Sequence, residues 1–139
     1  MTLVDVGPLL ALAWQRHEAH ERMVAWLSGV TASVGVCCVV AMGLLRRLTN
    51  PAVLRSDAMS RRQAWHILDE ILSDDRSEWL DEPVGLTEGF RRLSAPGDLS
   101  PQTVDCRLSC GVRGGLTASL TTLNRKLPAR YPDLDVVVI

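Results

Sequence analysis

The chain has 139 residues, of which 47% are hydrophobic and 22% are charged, and its formal net charge is −1. These values are ordinary for one globular domain, here residues 1–139, and the near-neutral charge excludes a general polyanion binder, so any contact with nucleic acid needs a local basic patch. No apolar run reaches the roughly 18 residues of a membrane span and the N-terminus lacks a basic signal-peptide start, so we expect a cytoplasmic protein without membrane contact.

The chain opens with an apolar run over residues 1–5 that ends on Asp5 and is followed by Gly7 and Pro8. A short apolar run bounded by Gly and Pro predicts a buried strand, which here leads into a helix over Leu9–Arg16. In α/β proteins, ligands lie beyond the carboxyl ends of the strands. Asp5 would lie there as a candidate ligand of a divalent cation, although capping the helix is the commoner role for such an acid.

The rest of the chain alternates between helix-like and strand-like segments. Helices are predicted at His17–Ser28, at Val39–Leu48 with Met42, Leu45 and Leu48 facing inward, from the cap Ser60 to Leu72, at Leu86–Leu93 and at Gln102–Val112. Strands are predicted at Thr31–Val36, Ser77–Leu80, Leu116–Leu123 and Leu134–Ile139. We expect the last strand to be buried. Residues 51–59 are predicted to form a loop. This alternation predicts an α/β fold with a mostly parallel sheet that is covered on both faces.

Neither the cysteines nor the first two histidines have the spacing of a metal motif. The four cysteines lack the paired spacing of a zinc site, so we expect reduced and mostly buried thiols. His17 and His20 are three residues apart rather than four as in H-E-x-x-H, so we interpret residues 17–21 as solvated or capping. The cysteines are Cys37, Cys38, Cys106 and Cys110.

Three polar residues lie at the ends of elements that should meet beside the sheet. Asp5 ends the first strand, Asn124 directly follows the Leu116–Leu123 strand, and Asp105 lies in the first turn of the preceding helix. Carboxylates that converge from separate elements can hold Mg²⁺ or Mn²⁺, and a metal-bound water can attack a phosphodiester. The pattern alone has low specificity, because isolated acids at element ends are usually caps.

The order of these features resembles a PIN domain, specifically the VapC-type toxins of bacterial toxin–antitoxin pairs. The matching blocks are TLVDVGPLLALAW at Thr2–Trp14, GLLRRLTNPAVL at Gly43–Leu54 and TVDCRLSCGVRGGLTASLTTLNRK at Thr103–Lys126, followed by the apolar C-terminal strand. Together they span essentially the whole chain. The resemblance implies a three-layer α/β/α fold, magnesium-dependent RNA cleavage, homodimers, and neutralisation by a small antitoxin whose tail covers the active site.

The resemblance also assigns site residues. Asp5 and Asp105 match two of the four acids of the family and are the expected catalytic residues and ligands of Mg²⁺ or Mn²⁺. Asn124 replaces a third acid and is the expected residual polar contact, Ala41 replaces the fourth, and Gly7 replaces a polar residue that is often Asn. Because Ala41 and Asn124 supply no carboxylate, the sequence predicts a weakened metal site.

Four cations lie near the predicted site. Arg46 and Arg47 are close to the end of the helix that would flank it, and Arg125 and Lys126 directly follow Asn124. All four are candidate contacts to RNA phosphates. Solubility and favourable charge at a helix end explain them about equally well.

Two hypotheses for function follow. The first is a VapC-like metal-dependent ribonuclease whose nucleophile is a metal-bound water. The alternative is a catalytically decayed PIN-like module that binds an antitoxin, RNA or its own copy without cleaving. A third hypothesis, a nucleotide-binding or small-molecule-binding α/β domain, has little support, because Val6-Gly7-Pro8 is not a glycine-rich phosphate loop.

Overall fold

A five-stranded sheet forms the centre of the computed structural model, which describes residues 1–82, 84–88, 91 and 118–139. The strand order is β3-β2-β1-β4-β5 and every pairing is parallel. The first strand is therefore central, between β2 and β4, and the predicted α/β fold with a parallel sheet is confirmed. The strands are β1 Thr2–Val4, β2 Val34–Cys37, β3 Ser77–Leu80, β4 Ser119–Thr122 and β5 Val136–Val138.

Four predicted helices are present with shifted ends, and a short helix at Leu127–Arg130 was not predicted. The predicted helix at Leu86–Leu93 lies partly outside the described residues, and the one at Gln102–Val112 lies wholly outside them. Ser60 caps its helix as predicted, and Gln63 completes the capping box by accepting from the Ser60 backbone N–H. The predicted loop over residues 51–59 instead contains a short helix, because the Asn50 side chain accepts from the Ala52 N–H at 2.9 Å and Pro51 suits the first helical position. Within the described residues the helices are α1 Val6–Ala13, α2 His20–Gly29, α3 Cys38–Leu48, α4 Pro51–Leu54, α5 Arg61–Leu72 and α6 Leu127–Arg130, with a 3₁₀ turn at Arg55–Asp57.

Close packing of α1 on α3 holds the end of β1 in place. A Cβ atom on Gly43 would lie 2.5 Å from the Cγ2 atom of Val6, so only glycine allows this approach. Val6 directly follows Asp5, and Gly43 lies one turn before Arg47. The packing therefore fixes the start of α1 beside the C-terminal half of α3.

Two expectations about burial are wrong. Met42 was expected to face inward but is 58% exposed, whereas its neighbour Ala41 is buried. The last strand was expected to be buried, but Val137 and Val138 are exposed because β5 is an edge strand paired only with β4. Cys37 is a buried free thiol, as expected, and burial raises its pKa. Cys106 and Cys110 lie outside the described residues.

Across the parts of the chain that the structure describes, no helix combines the length and apolar character needed to cross a membrane.

Candidate active site

An open cleft of about 470 Å³ lies at the carboxyl ends of β1 and β4. The two strands are parallel neighbours, and the Asp5 N–H donates to the Thr121 carbonyl at 2.9 Å just beyond their pairing. The carboxyl ends of parallel strands meet at one edge of a sheet, which brings Asp5 and Asn124 into the same cleft. The cleft is lined by Asp5, Val6, Gly7, His17, Glu18, Arg47, Thr122, Leu123, Asn124 and Lys126.

Asp5 is an anchored carboxylate that is only 7% exposed. Its Oδ1 accepts from the Val6 N–H at 2.7 Å, which caps α1, and its Oδ2 accepts from the Thr122 hydroxyl at 2.9 Å. One contact engages each carboxylate oxygen, so the two together orient the group. The capping role and the cleft role of Asp5 are therefore compatible.

Thr122 links the two chain segments that form the cleft, a role that its local sequence does not predict. Its side chain is fully buried, and its hydroxyl donates to Asp5 while accepting from the Asn124 N–H at 3.1 Å. A hydroxyl has one proton, and here that proton goes to Asp5, so the direction of the hydrogen-bond chain is fixed. Thr122 therefore positions the carboxylate.

Asn124 is exposed at the rim of the cleft. Its Oδ1 accepts from the Lys126 N–H at 3.1 Å, which forms a turn stabilised by a side chain. The amide oxygen is thus partly used by the backbone, whereas the NH₂ group is available as a donor. This geometry favours a hydrogen bond to a substrate over a contact to a metal ion.

His17 and Glu18 also line the cleft, a position that was not predicted, while Glu18 is exposed as the expected solvated or capping role implies. The half-buried His17 accepts from the Ala19 N–H through Nδ1 at 3.1 Å, which places the proton of the neutral ring on Nε2. Burial lowers the pKa of His17, Glu18 raises it, and His20, Arg22 and Arg47 lower it further by like-charge repulsion. At neutral pH the cleft therefore contains a neutral imidazole with an Nε2–H donor.

The predicted cations divide into two pairs. Arg47 and Lys126 line the cleft, whereas Arg46 and Arg125 are exposed and are not among its lining residues. Arg46 directly precedes Arg47, and Arg125 directly precedes Lys126, so each cation in the cleft has a neighbouring cation outside it. The formal charges of Asp5 and Glu18 in the lining are thus balanced by those of Arg47 and Lys126.

The described residues do not by themselves fit a tightly held Mg²⁺ ion. They supply one anchored carboxylate, Asp5, whereas Ala41 is buried in the hydrophobic core and contributes only a methyl group. No group of three or more His, Cys, Asp or Glu side chains able to share a metal occurs in the described ranges. The second predicted ligand, Asp105, lies outside the described residues.

Comparison with known proteins gives one sequence relative and several similar folds. Ribonuclease VapC38 of Mycobacterium tuberculosis is 34% identical over 103 residues, covering 68% of this chain and 72% of that protein. VapBC2 from Rickettsia felis, bound to a DNA fragment from their promoter, matches with a TM-score of 0.69 at 16% identity and covers 99% of this chain and 98% of its own. VapBC-1 from nontypeable Haemophilus influenzae matches with a TM-score of 0.68 at 11% identity, and the match covers 99% of this chain and 96% of that chain. No family model matches the sequence.

Proposed function

We propose that this chain acts on RNA in the cleft around Asp5, because it belongs to the VapC family of PIN-domain ribonuclease toxins. The observation that carries the proposal is the placement of Asp5. It is buried, it is oriented by Val6 N–H and Thr122 hydroxyl, and it shares the cleft with Arg47 and Lys126. Cations bind the phosphates of an RNA strand, and a fixed carboxylate beside them is suited to phosphodiester chemistry.

The proposal extends to a divalent ion. Mg²⁺ or Mn²⁺ is the expected cofactor, with Asp5 and Asp105 as its ligands. Because Ala41 and Asn124 supply no carboxylate, we expect weak binding and slow cleavage. The roles assigned to the other residues are phosphate contacts for Arg47 and Lys126 and a hydrogen bond to the substrate from the Asn124 amide.

The test is cleavage of end-labelled single-stranded RNA by the purified chain in Mg²⁺ and in EDTA. We expect slow cleavage in Mg²⁺, none in EDTA, and a loss of about 100-fold or more in Asp5→Asn. Asp69→Asn, which removes an exposed acid on α5, is the matched control and should cleave like the wild type. Cleavage that is unchanged in Asp5→Asn, or that persists in EDTA, would contradict the assignment.

A specific observation favours a second candidate, a decayed module that binds RNA, an antitoxin or its own copy without cleaving. The oxygen of Asn124 is engaged by the Lys126 N–H, and Ala41 lies in the core rather than in the cleft. Retained RNA binding together with no cleavage in Mg²⁺, even at high protein concentration, would select this candidate.

We further propose an antitoxin as the protein partner, as in the matched VapBC structures. A second surface suits an apolar helix of such a partner: a groove of about 470 Å³ between α1, α2 and α5. Val24 is 43% exposed in this groove. The apolar side chains in its wall are Leu9, Leu12, Ala13, Val24, Leu27, Val34, Ile67 and Ile71.

Val24→Glu should weaken binding of the paired antitoxin by about 30-fold or more, because it puts a carboxylate into an apolar interface. Arg62→Glu on the exposed surface of α5 is the control and should leave binding unchanged. Light scattering of the chain with antitoxin detects the complex, and light scattering of the chain alone tests the homodimer that the family resemblance implies. Equal antitoxin affinity in Val24→Glu and wild type would exclude this groove as the docking surface.

A further inference from the structure

We propose that the cleft binds a backbone phosphate of RNA directly, through Arg47, Lys126 and the Nε2–H of His17, without a divalent metal ion. The inference rests on the proposed function, since RNA is the ligand, and it adds the atoms that hold the strand. It also separates binding from catalysis. Binding would need the cations of the cleft, whereas cleavage would need Asp5.

The balance of charge in the cleft is the first support. Among the described lining residues, Asp5 and Glu18 are matched by Arg47 and Lys126. Carboxylates in a cleft repel a phosphate, and cations in the lining attract it, so a cleft that has two carboxylates fewer and contains two cations accepts a phosphate more readily. The replacement of acids by Ala41 and Asn124 thus favours direct contact with an anion.

The burial and the contacts of the Arg47 side chain are the second support. Its side chain is half-buried in the last turn of α3, and within the described residues it makes no ion pair or hydrogen bond. A partly desolvated guanidinium is stabilised by an anion, and its planar donors match the oxygens of a phosphate. An RNA phosphate in the cleft would supply that partner.

His17 supplies a neutral donor beside this cation. Its Nδ1 is held by the Ala19 N–H at 3.1 Å, and its ring lies edge-on to Trp14 with centroids 6.0 Å apart. These contacts fix the ring, and Arg47 lines the same cleft as His17. The Nε2–H can therefore donate to the same phosphate that Arg47 binds.

Lys126 is the second cation that lines the cleft. Its backbone N–H is fixed at 3.1 Å from the Asn124 oxygen, and Asn124 N–H is in turn fixed to the Thr122 hydroxyl. The ammonium group thus extends from an ordered turn. Its neighbour Arg125 belongs to the same turn but is not among the lining residues.

The experiment is fluorescence anisotropy of a fluorescein-labelled single-stranded RNA in EDTA, over a series of salt concentrations. The wild type should bind, and Arg47→Ala and Lys126→Ala should each lose about tenfold in affinity and reduce the slope of log K against log salt by about 0.7. His17→Asn keeps an acceptor for the Ala19 N–H and removes the Nε2–H donor. The affinity of this variant for RNA should be about threefold lower, and the slope of log K against log salt should stay the same, because no charge is removed.

Adjacent residues supply the comparisons. Arg46→Ala and Arg125→Ala should lose at most about twofold, since each removes the same charge from outside the cleft. Arg62→Ala on α5 should leave the affinity unchanged. Circular dichroism of every variant confirms that the fold is retained.

Three results would overturn the inference, and they bear differently on the proposed function. RNA binding that requires Mg²⁺ rejects direct binding but leaves the ribonuclease proposal intact. Binding in EDTA that Arg46→Ala and Arg125→Ala weaken as much as Arg47→Ala and Lys126→Ala rejects this site but keeps RNA as the ligand. No binding in either buffer rejects both proposals.

Discussion

The double variant Ala41→Glu/Asn124→Asp should cleave RNA at least about 100-fold faster than the wild type in Mg²⁺, because it returns two carboxylates to the proposed site. Asn124→Asp preserves shape, and an Asp oxygen can still accept from the Lys126 N–H. Ala41→Glu is more demanding, since Ala41 is only 4% exposed and the longer side chain must reach the cleft from the core. We therefore expect higher activity together with lower stability.

The control is Ala41→Gln/Asn124→Asp, which has nearly the same side-chain volume as the double variant and one carboxylate fewer. Initial rates of RNA cleavage, with urea unfolding to confirm the fold, compare the two. In EDTA the double variant should also bind RNA more weakly than wild type, because the cleft gains two negative charges. A folded double variant as slow as wild type in Mg²⁺ would show that changes at these two positions do not explain slow cleavage.

The position of Asp5 could be predicted because it depends on rules that act over a few residues. An apolar run followed by Gly7 and Pro8 defines a buried strand and its end, and parallel sheets put ligands at that end. The choice between a helix cap and a cleft residue could not be made from sequence. One oxygen of Asp5 caps α1 and the other accepts from Thr122, so the two roles were never exclusive.

His17, Glu18 and Thr122 could not be identified because the fold, rather than the local sequence, brings them to the cleft. Residues 17 and 18 lie in the connection between α1 and α2, and comparison with a metal motif tested only their mutual spacing. Thr122 has the β propensity of any strand threonine. The signal that could have found it is its place as a hydroxyl residue two positions before Asn124, at the end of the strand next to β1.

Arg46 and Arg47 show that adjacent residues of a helix have different surroundings. Successive residues in a helix point about 100° apart, so Arg46 and Arg47 point in different directions, and only Arg47 lines the cleft. The sequence predicted the end of α3 and its basic character, but which arginine faces inward depends on the rotation of the helix. That rotation is set by the contact of Gly43 with Val6, which no local pattern encodes. The same rotation places Met42 outside.

Thr122→Val should lower the free energy of unfolding by about 1–3 kcal/mol, because two groups lose their partner at once. Asp5 Oδ2 loses its donor and the Asn124 N–H loses its acceptor, both beside a side chain that is fully buried. Urea unfolding measures this loss. Where folded protein remains, RNA cleavage in Mg²⁺ should fall by about 10- to 100-fold, because Asp5 is no longer oriented.

Thr121→Val separates the two effects. Thr121 is also buried, and its hydroxyl pairs with the Thr2 hydroxyl at 2.8 Å instead of with a cleft residue. This variant should lose stability through one hydrogen bond while cleaving RNA like the wild type. Thr122→Ser, which keeps the hydroxyl, should recover most of the cleavage lost in Thr122→Val. If Thr122→Val and Thr121→Val lose stability alike and both cleave at the wild-type rate, the Thr122 hydroxyl serves only the core and does not orient Asp5 for cleavage.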